Sequence, residues 1–148
     1  MTTERKFFQA LKHAAPPWLT LTRIETGQTA SGVPDVAYAA RLPGGRHVVG
    51  WIELKVARPN RNGGYRLGHV LTWPQGQFLL VHSDITHQPP HFASYLAIGV
   101  YPRGSTRPRG VLWIPAKETV RYAGKSVLRL PGHTERPLSP IFWWDMLA

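Results

Sequence analysis

Between residues 35 and 57 the chain alternates. Val36, Tyr38, Leu42, Val48, Ile52, Leu54 and Val56 fall on even numbers, and Asp35, Arg41, Glu53 and Lys55 on odd ones. A period of two is that of a strand with one apolar face. Pro43-Gly44-Gly45 supplies a turn, so residues 36–42 and 47–57 are predicted to form a long β-hairpin. The parity constrains the loop. With 43–45 as a three-residue loop, all the apolar residues share a face and Asp35 lies directly opposite Glu53. A two-residue Gly44-Gly45 loop would pair Asp35 with Leu54 and send the two carboxylates to opposite faces. The shared apolar face favours the longer loop, although a bulge would rescue the shorter one.

Residues 2–15 carry Phe7, Phe8, Leu11 and Ala15 at helical spacing, with Thr2 or Thr3 placed to cap the start and Pro16-Pro17 to stop the helix. Residues 18–24 (WLTLTRI) alternate as a strand, and a small-residue loop follows from Gly27 to Gly32. The basic, glycine-rich stretch 58–68 (RPNRNGGYRLG) reads as a mobile loop. A second helix is predicted over 72–83, where Thr72 and Gln75 have capping-box spacing and Pro74 is tolerated in the first turn. After a loop at 84–90, residues 95–101 and 111–114 read as strands around a basic turn. Residues 117–122 fit a short helix or strand, and 127–130 a last strand. The tail from Pro140 (PIFWWDML) is too apolar to be left in water, so it is either a core-packing helix or part of a subunit contact. These elements predict one α/β domain over 1–148, with a core at 1–114 and a C-terminal extension at 115–148.

Composition narrows the partners. The 18 Lys and Arg against 8 Asp and Glu give a net charge of +10, which points to nucleic acid, an anionic membrane surface or another polyanion. No apolar run reaches the ~18 residues of a transmembrane helix, and neither a signal peptide nor a basic amphipathic membrane helix is visible. Nucleic acid is therefore the expected partner, with no membrane association. The absence of cysteine excludes disulfides and Cys-based zinc sites and fits a cytoplasmic location.

With acids so scarce, two of them on one face of the strongest hairpin point to chemistry. Cross-strand neighbours have Cβ atoms ~4.5–5.5 Å apart, and Mg–O bonds are ~2.0–2.1 Å, so one ion can bridge Asp35 and Glu53. Lys55 projects from the same face, where its ammonium can orient an attacking water and offset charge on a phosphate. The bland alternative is an exposed salt-bridge cluster, since a Glu-x-Lys triplet is common.

Gly32-Val33-Pro34-Asp35 followed by Glu53-Leu54-Lys55 resembles the PD-(D/E)XK nuclease signature. Leu71-Thr72-Trp73-Pro74-Gln75 with Phe78-Leu79 is similar to the helix that follows it in the virus-type replication-repair (VRR-NUC) branch. The likeness covers roughly residues 1–82, and its motifs are short. It implies a restriction-endonuclease-like mixed β-sheet flanked by helices, and a Mg²⁺- or Mn²⁺-dependent DNA endonuclease. It also implies Asp35, Glu53 and the backbone carbonyl of Leu54 as metal ligands and Lys55 as the water-positioning residue. Such families include phage nucleases, junction resolvases and restriction-type enzymes, so branched DNA is the expected substrate, in the host cytoplasm if phage-encoded. A homodimer is expected because resolving a four-way junction takes two cuts and Trp143-Trp144 offers apolar contact area. The long segment after Lys55 and the large C-terminal region depart from the pattern and leave the substrate type open. Rival readings are a non-catalytic basic nucleic-acid-binding protein, a partner-binding subunit and, within the same chemistry, a sequence-specific restriction-type endonuclease.

Further candidates each have a bland alternative. The resemblance suggests that Glu4 completes the metal site, but a carboxylate at a helix N-terminus is favourable in itself. Gln75 would contact the water or the scissile phosphate, or simply complete the capping box with Thr72. Glu25, just before the Gly27–Gly32 loop, could approach the site but fits an exposed turn better. His87 and His91 have helical metal-pair spacing, but Pro89-Pro90 breaks any helix between them. Candidates for DNA contact are Arg58, Arg61 and Arg66 in the first basic stretch, His69 after it, and Arg103, Arg107 and Arg109 in the second. Trp51 would stack on a base or pack in the core.

Overall fold

One long strand organises the molecule, whose computed structural model describes residues 3–24, 33–83 and 91–147. The loops expected at 27–32 and 84–90 lie outside the described residues, together with Thr2, Glu25, Gly32, His87 and the side chain of His91. Strand β3 (His47–Pro59) runs for 13 residues. Its first half pairs antiparallel with β2 (Val36–Arg41) and its last residues with β4 (Tyr65–Leu67). On its other edge it pairs in parallel with the short β5 (His91–Phe92) and with β6 (Tyr95–Val100). Strands β1 (Leu19–Arg23), β7 (Gly110–Pro115) and β8 (Val127–Leu128) extend the sheet beyond β2, β6 and β4 respectively, giving a mixed eight-stranded sheet.

The hairpin has the register that the parity demanded. Val36 pairs with Ile52 and Arg41 with His47, and Leu42 N–H bonds Arg46 O at 2.8 Å, closing a three-residue loop at 43–45. Val36, Tyr38, Leu42, Val48, Ile52, Leu54 and Val56 are all buried on one face. That face is covered by α1 (Glu4–His13), capped by Thr3, and by α4 (Pro140–Leu147), which contribute Phe7, Phe8, Leu11, Phe142, Trp143 and Leu147 to one core. The tail is thus a core-packing helix. Trp143 is fully buried and gives no contact area to a partner, whereas Ile141 and Trp144 stay exposed.

The other face of β3 is not the open surface that an exposed salt-bridge cluster would need. Helix α2 (Trp73–Val81) and α3 (Ala116–Thr119), continued by a 3₁₀ turn at Val120–Tyr122, cover it with a second core built around Leu79, Leu96, Ile98, Leu112 and Ile114. Trp51 packs on this core, edge-on to Phe78. The stretch 58–68 also departs from expectation. It is a β-hairpin, with Ala57 opposite Leu67 and Pro59 opposite Tyr65. Its Asn-Gly turn has Gly63 at a φ of 84°, the conformation for which glycine is chosen.

Helix α1 docks where the sheet makes room for it. A Cβ at Gly99 of β6 would lie 2.8 Å from the Phe7 ring, inside any real carbon–carbon contact. Gly99→Ala is therefore expected to cost ~1–3 kcal/mol of stability, the range for overpacking, as a lowered midpoint in denaturant. An unchanged midpoint would show that α1 is not seated by this contact.

No helix among the described residues is long and apolar enough to cross a membrane.

Candidate metal-binding site

Strand β3 is left unpaired on one edge between Ile52, opposite Val36 at the start of β2, and Ala57, opposite Leu67 at the end of β4. Asp35, just before β2, enters this gap, and Leu54 N–H donates to its Oδ2 at 3.2 Å. The N–H and C=O of a strand residue point to the same edge, so the Leu54 carbonyl also faces the gap. Below it, Gly68 N–H bonds the Val56 carbonyl at 2.9 Å. The interruption of the ladder thus offers one backbone oxygen, beside one carboxylate, to whatever occupies the gap.

A cavity of about 460 Å³ opens there. It is lined by Asp35, Glu53, Leu54 and Lys55, by Glu4 from the first turn of α1 and Arg23 from the end of β1. His69 and Val70, with Thr72 and Gln75 of the α2 N-terminus, complete the lining. The capping box is formed: Gln75 N–H donates to Thr72 Oγ1 at 3.3 Å, and Thr72 N–H to Gln75 Oε1 at 2.9 Å. The carbonyl of Gln75 is committed to the cap, so its amide N–H groups are what it can offer a ligand.

Glu53 and Lys55 are 2% and 4% exposed, and Lys55 Nζ lies 3.6 Å from Glu53 Oε1. The other carboxylate oxygen of Glu53, Oε2, is buried with no hydrogen-bond partner. Burial first, and then the neighbouring Asp35 charge, push the Glu53 carboxyl up to about 8 against the partial opposition of Lys55. Asp35 is also raised by burial, although the Leu54 hydrogen bond and the Lys55 charge hold it down. A buried charge that lacks a full set of partners is costly. Two carboxyls held this way, with one oxygen orphaned, form an arrangement that an added cation would stabilise.

Among the described residues no three acidic, histidine or cysteine side chains are close enough to hold an ion together. Glu4 lines the cavity but completes no three-carboxylate cluster. The donor set that remains is two carboxylates and the Leu54 carbonyl, which suits Mg²⁺, an ion that keeps several waters and uses few protein ligands.

The other basic candidates scatter. His69 alone reaches this cavity. Arg58 and Arg103 line a separate one, while Arg107 and Arg109 border a groove along α1. Arg109 grips Glu135 with both arms of its guanidinium, at 2.9 and 2.6 Å, so its fork is used within the protein. Arg61 and Arg66 lie exposed on the β3–β4 hairpin. Sequence reasoning missed Arg23, a cation on the wall of the cavity. Its position at the end of a predicted strand, antiparallel to the one that Asp35 precedes, was the available signal.

Comparison with protein-family models, with curated proteins and with solved structures finds no match to this chain.

Proposed function

We propose that this chain is a Mg²⁺- or Mn²⁺-dependent DNA endonuclease of the PD-(D/E)XK class, resembling its VRR-NUC branch on a restriction-endonuclease-like sheet. The observation that carries the reading is the orphaned, buried Glu53 Oε2 beside Asp35 at an interruption of the β3 ladder. Asp35, Glu53 and the Leu54 carbonyl would hold the ion. When bound, it would supply positive charge to a phosphoryl oxygen and make a coordinated water more acidic. Lys55, at 3.6 Å from Glu53, places an ammonium in the same cavity, where it donates to the attacking water and offsets charge on the phosphate. Gln75 would present amide donors and Arg23 a guanidinium to the phosphate from the cavity lining. The net charge of +10 favours a polyanionic substrate.

Within this reading the substrate is branched DNA in replication, recombination or repair, cut in the cytoplasm. Two cuts across a junction would be made by a homodimer, to which α4 offers Ile141 and Trp144. The test is incubation with plasmid, flap, splayed-arm and four-way-junction DNA in Mg²⁺, Mn²⁺ or Ca²⁺. Cleavage in Mg²⁺ and Mn²⁺ with preference for a branched form is expected. Salt-sensitive binding without cleavage in any metal would instead favour the non-catalytic rival.

Metal binding should also depend on pH. The raised Glu53 carboxyl carries its proton at neutral pH, so loading an ion expels that proton. Apparent Mg²⁺ affinity is expected to rise with pH and level off above about 8, with proton release approaching one per ion at pH 7. Calorimetric titration in buffers of different ionisation enthalpy measures this. An affinity that does not change from pH 6 to 9 would remove Glu53 as a ligand.

A further inference from the structure

A second cavity, of about 310 Å³, lies at the far end of β3 and contains no carboxylate. Three cations from three separate elements line it: Lys6 of α1, Arg58 near the end of β3, and Arg103 in the turn after β6. Among the described residues none of the three has a carboxylate within ion-pair distance. Arg58 is half-buried and stands directly opposite Arg66 in the β3–β4 ladder. Like charges directly opposite on a sheet are destabilising. Three cations lining one cavity, with Arg66 across the ladder from one of them and no carboxylate within ion-pair distance among the described residues, are arranged for an external anion.

We propose that the Lys6–Arg58–Arg103 cavity is a second phosphate-binding site, which holds a backbone phosphate of the nucleic acid away from the point of cleavage. The inference rests on the nuclease reading for the identity of the phosphate's carrier. Guanidinium groups match phosphate oxygens in pairs, and a site built from two arginines and a lysine, with the Thr106 hydroxyl on its wall, requires no base. Position, not sequence, is what it reads. From Leu54 to Arg58 is four residues along an extended strand, ~13 Å at ~3.3 Å each. The site would thus engage a phosphate displaced from the point of cleavage.

Two arms of one experiment separate the carrier from the site. Inorganic phosphate is titrated into the isotope-labelled full chain and followed by backbone amide shifts. Duplex DNA of increasing length is then bound in Ca²⁺, without cleavage, over a range of salt concentrations. The variants are Lys6→Ala and Arg103→Ala, both at exposed positions. Lys125→Ala, elsewhere on the surface, controls for net charge. The expected result is phosphate-dependent shifts at Lys6, Arg58 and residues 103–106, with affinity reduced roughly 10- to 100-fold in either cavity variant, as for a lost hydrogen bond to a charged group. The log–log salt slope for DNA should fall by ~0.9 with each phosphate contact removed, and only for duplexes that reach the site. Phosphate and DNA binding unchanged in Arg103→Ala would overturn the second site and leave the nuclease reading standing. Phosphate shifts without DNA binding would support the site and overturn the nuclease reading.

Discussion

Glu53→Gln is expected to abolish cleavage, by on the order of 10³-fold or more, while leaving the fold intact. The substitution keeps the shape of the side chain and removes one of the two charges proposed to hold the ion, so both the charge stabilisation and the acidified water are lost together. The same change has a second signature that needs no substrate. In the metal-free wild type, burial and the Asp35 charge raise the Glu53 carboxyl to about 8 from an ordinary value of 4.5. Between those two pH values the folded chain keeps a proton that the unfolded chain releases. Stability must therefore fall as pH rises through that window, and level off above about 8. Glutamine does not titrate, so the part of this fall that Glu53 contributes should disappear in the variant, leaving only what the raised Asp35 carboxyl adds. Added Mg²⁺ should restore stability at pH 8 to the wild type and not to Glu53→Gln, because binding to the native state stabilises it by mass action. Denaturant midpoints from about pH 5 to pH 9, with and without metal, read all of this. A wild-type profile that is flat over that range, or a variant that cuts like the parent, would remove Glu53 from the site.

Lys55→Met separates holding the ion from using it. Methionine retains most of the buried aliphatic length and removes the ammonium. If Lys55 orients the water and offsets phosphate charge, kcat should fall ~10²–10³-fold, the size of effect seen when one preorganised donor is lost from a reacting centre. Metal affinity should hold or improve, because a cation 3.6 Å from Glu53 competes with the ion for the same carboxylate. Loss of metal binding in parallel with activity would instead give Lys55 a structural part in shaping the site.

The hairpin that carries both residues was legible because it is governed by local rules. Alternating side chains, a turn of odd length and a shared apolar face fix the register from residue 36 to 52 without help from the rest of the chain. The Thr72–Gln75 capping box and the Pro16-Pro17 stop are equally local. Long-range events were not readable. Glu53 and Lys55 are charged, so their strand face reads as solvated, yet α2 and α3 close over it and bury both. The Arg58–Gly68 stretch is dense in glycine and charge and reads as a loop. Its alternation of Tyr65 and Leu67 becomes visible only once Ala57 and Pro59 are known to lie opposite them. Arg109 looks available for DNA until the chain returns 26 residues later with Glu135. Trp143 and Trp144 look alike in sequence. The turn of α4 sends the first into the core, beside Trp113 and Phe142, and leaves the second outside.

The most direct test is to titrate Mn²⁺ into the wild type and Asp35→Asn at pH 8, following free ion by electron paramagnetic resonance. Asp35 approaches the gap in β3 from a different strand than Glu53, so an ion shared between them needs both. Saturable binding by the wild type, displaced by Mg²⁺ and weakened at least tenfold in Asp35→Asn, is the predicted result. Equal binding by the two proteins, or none by the wild type, would contradict it.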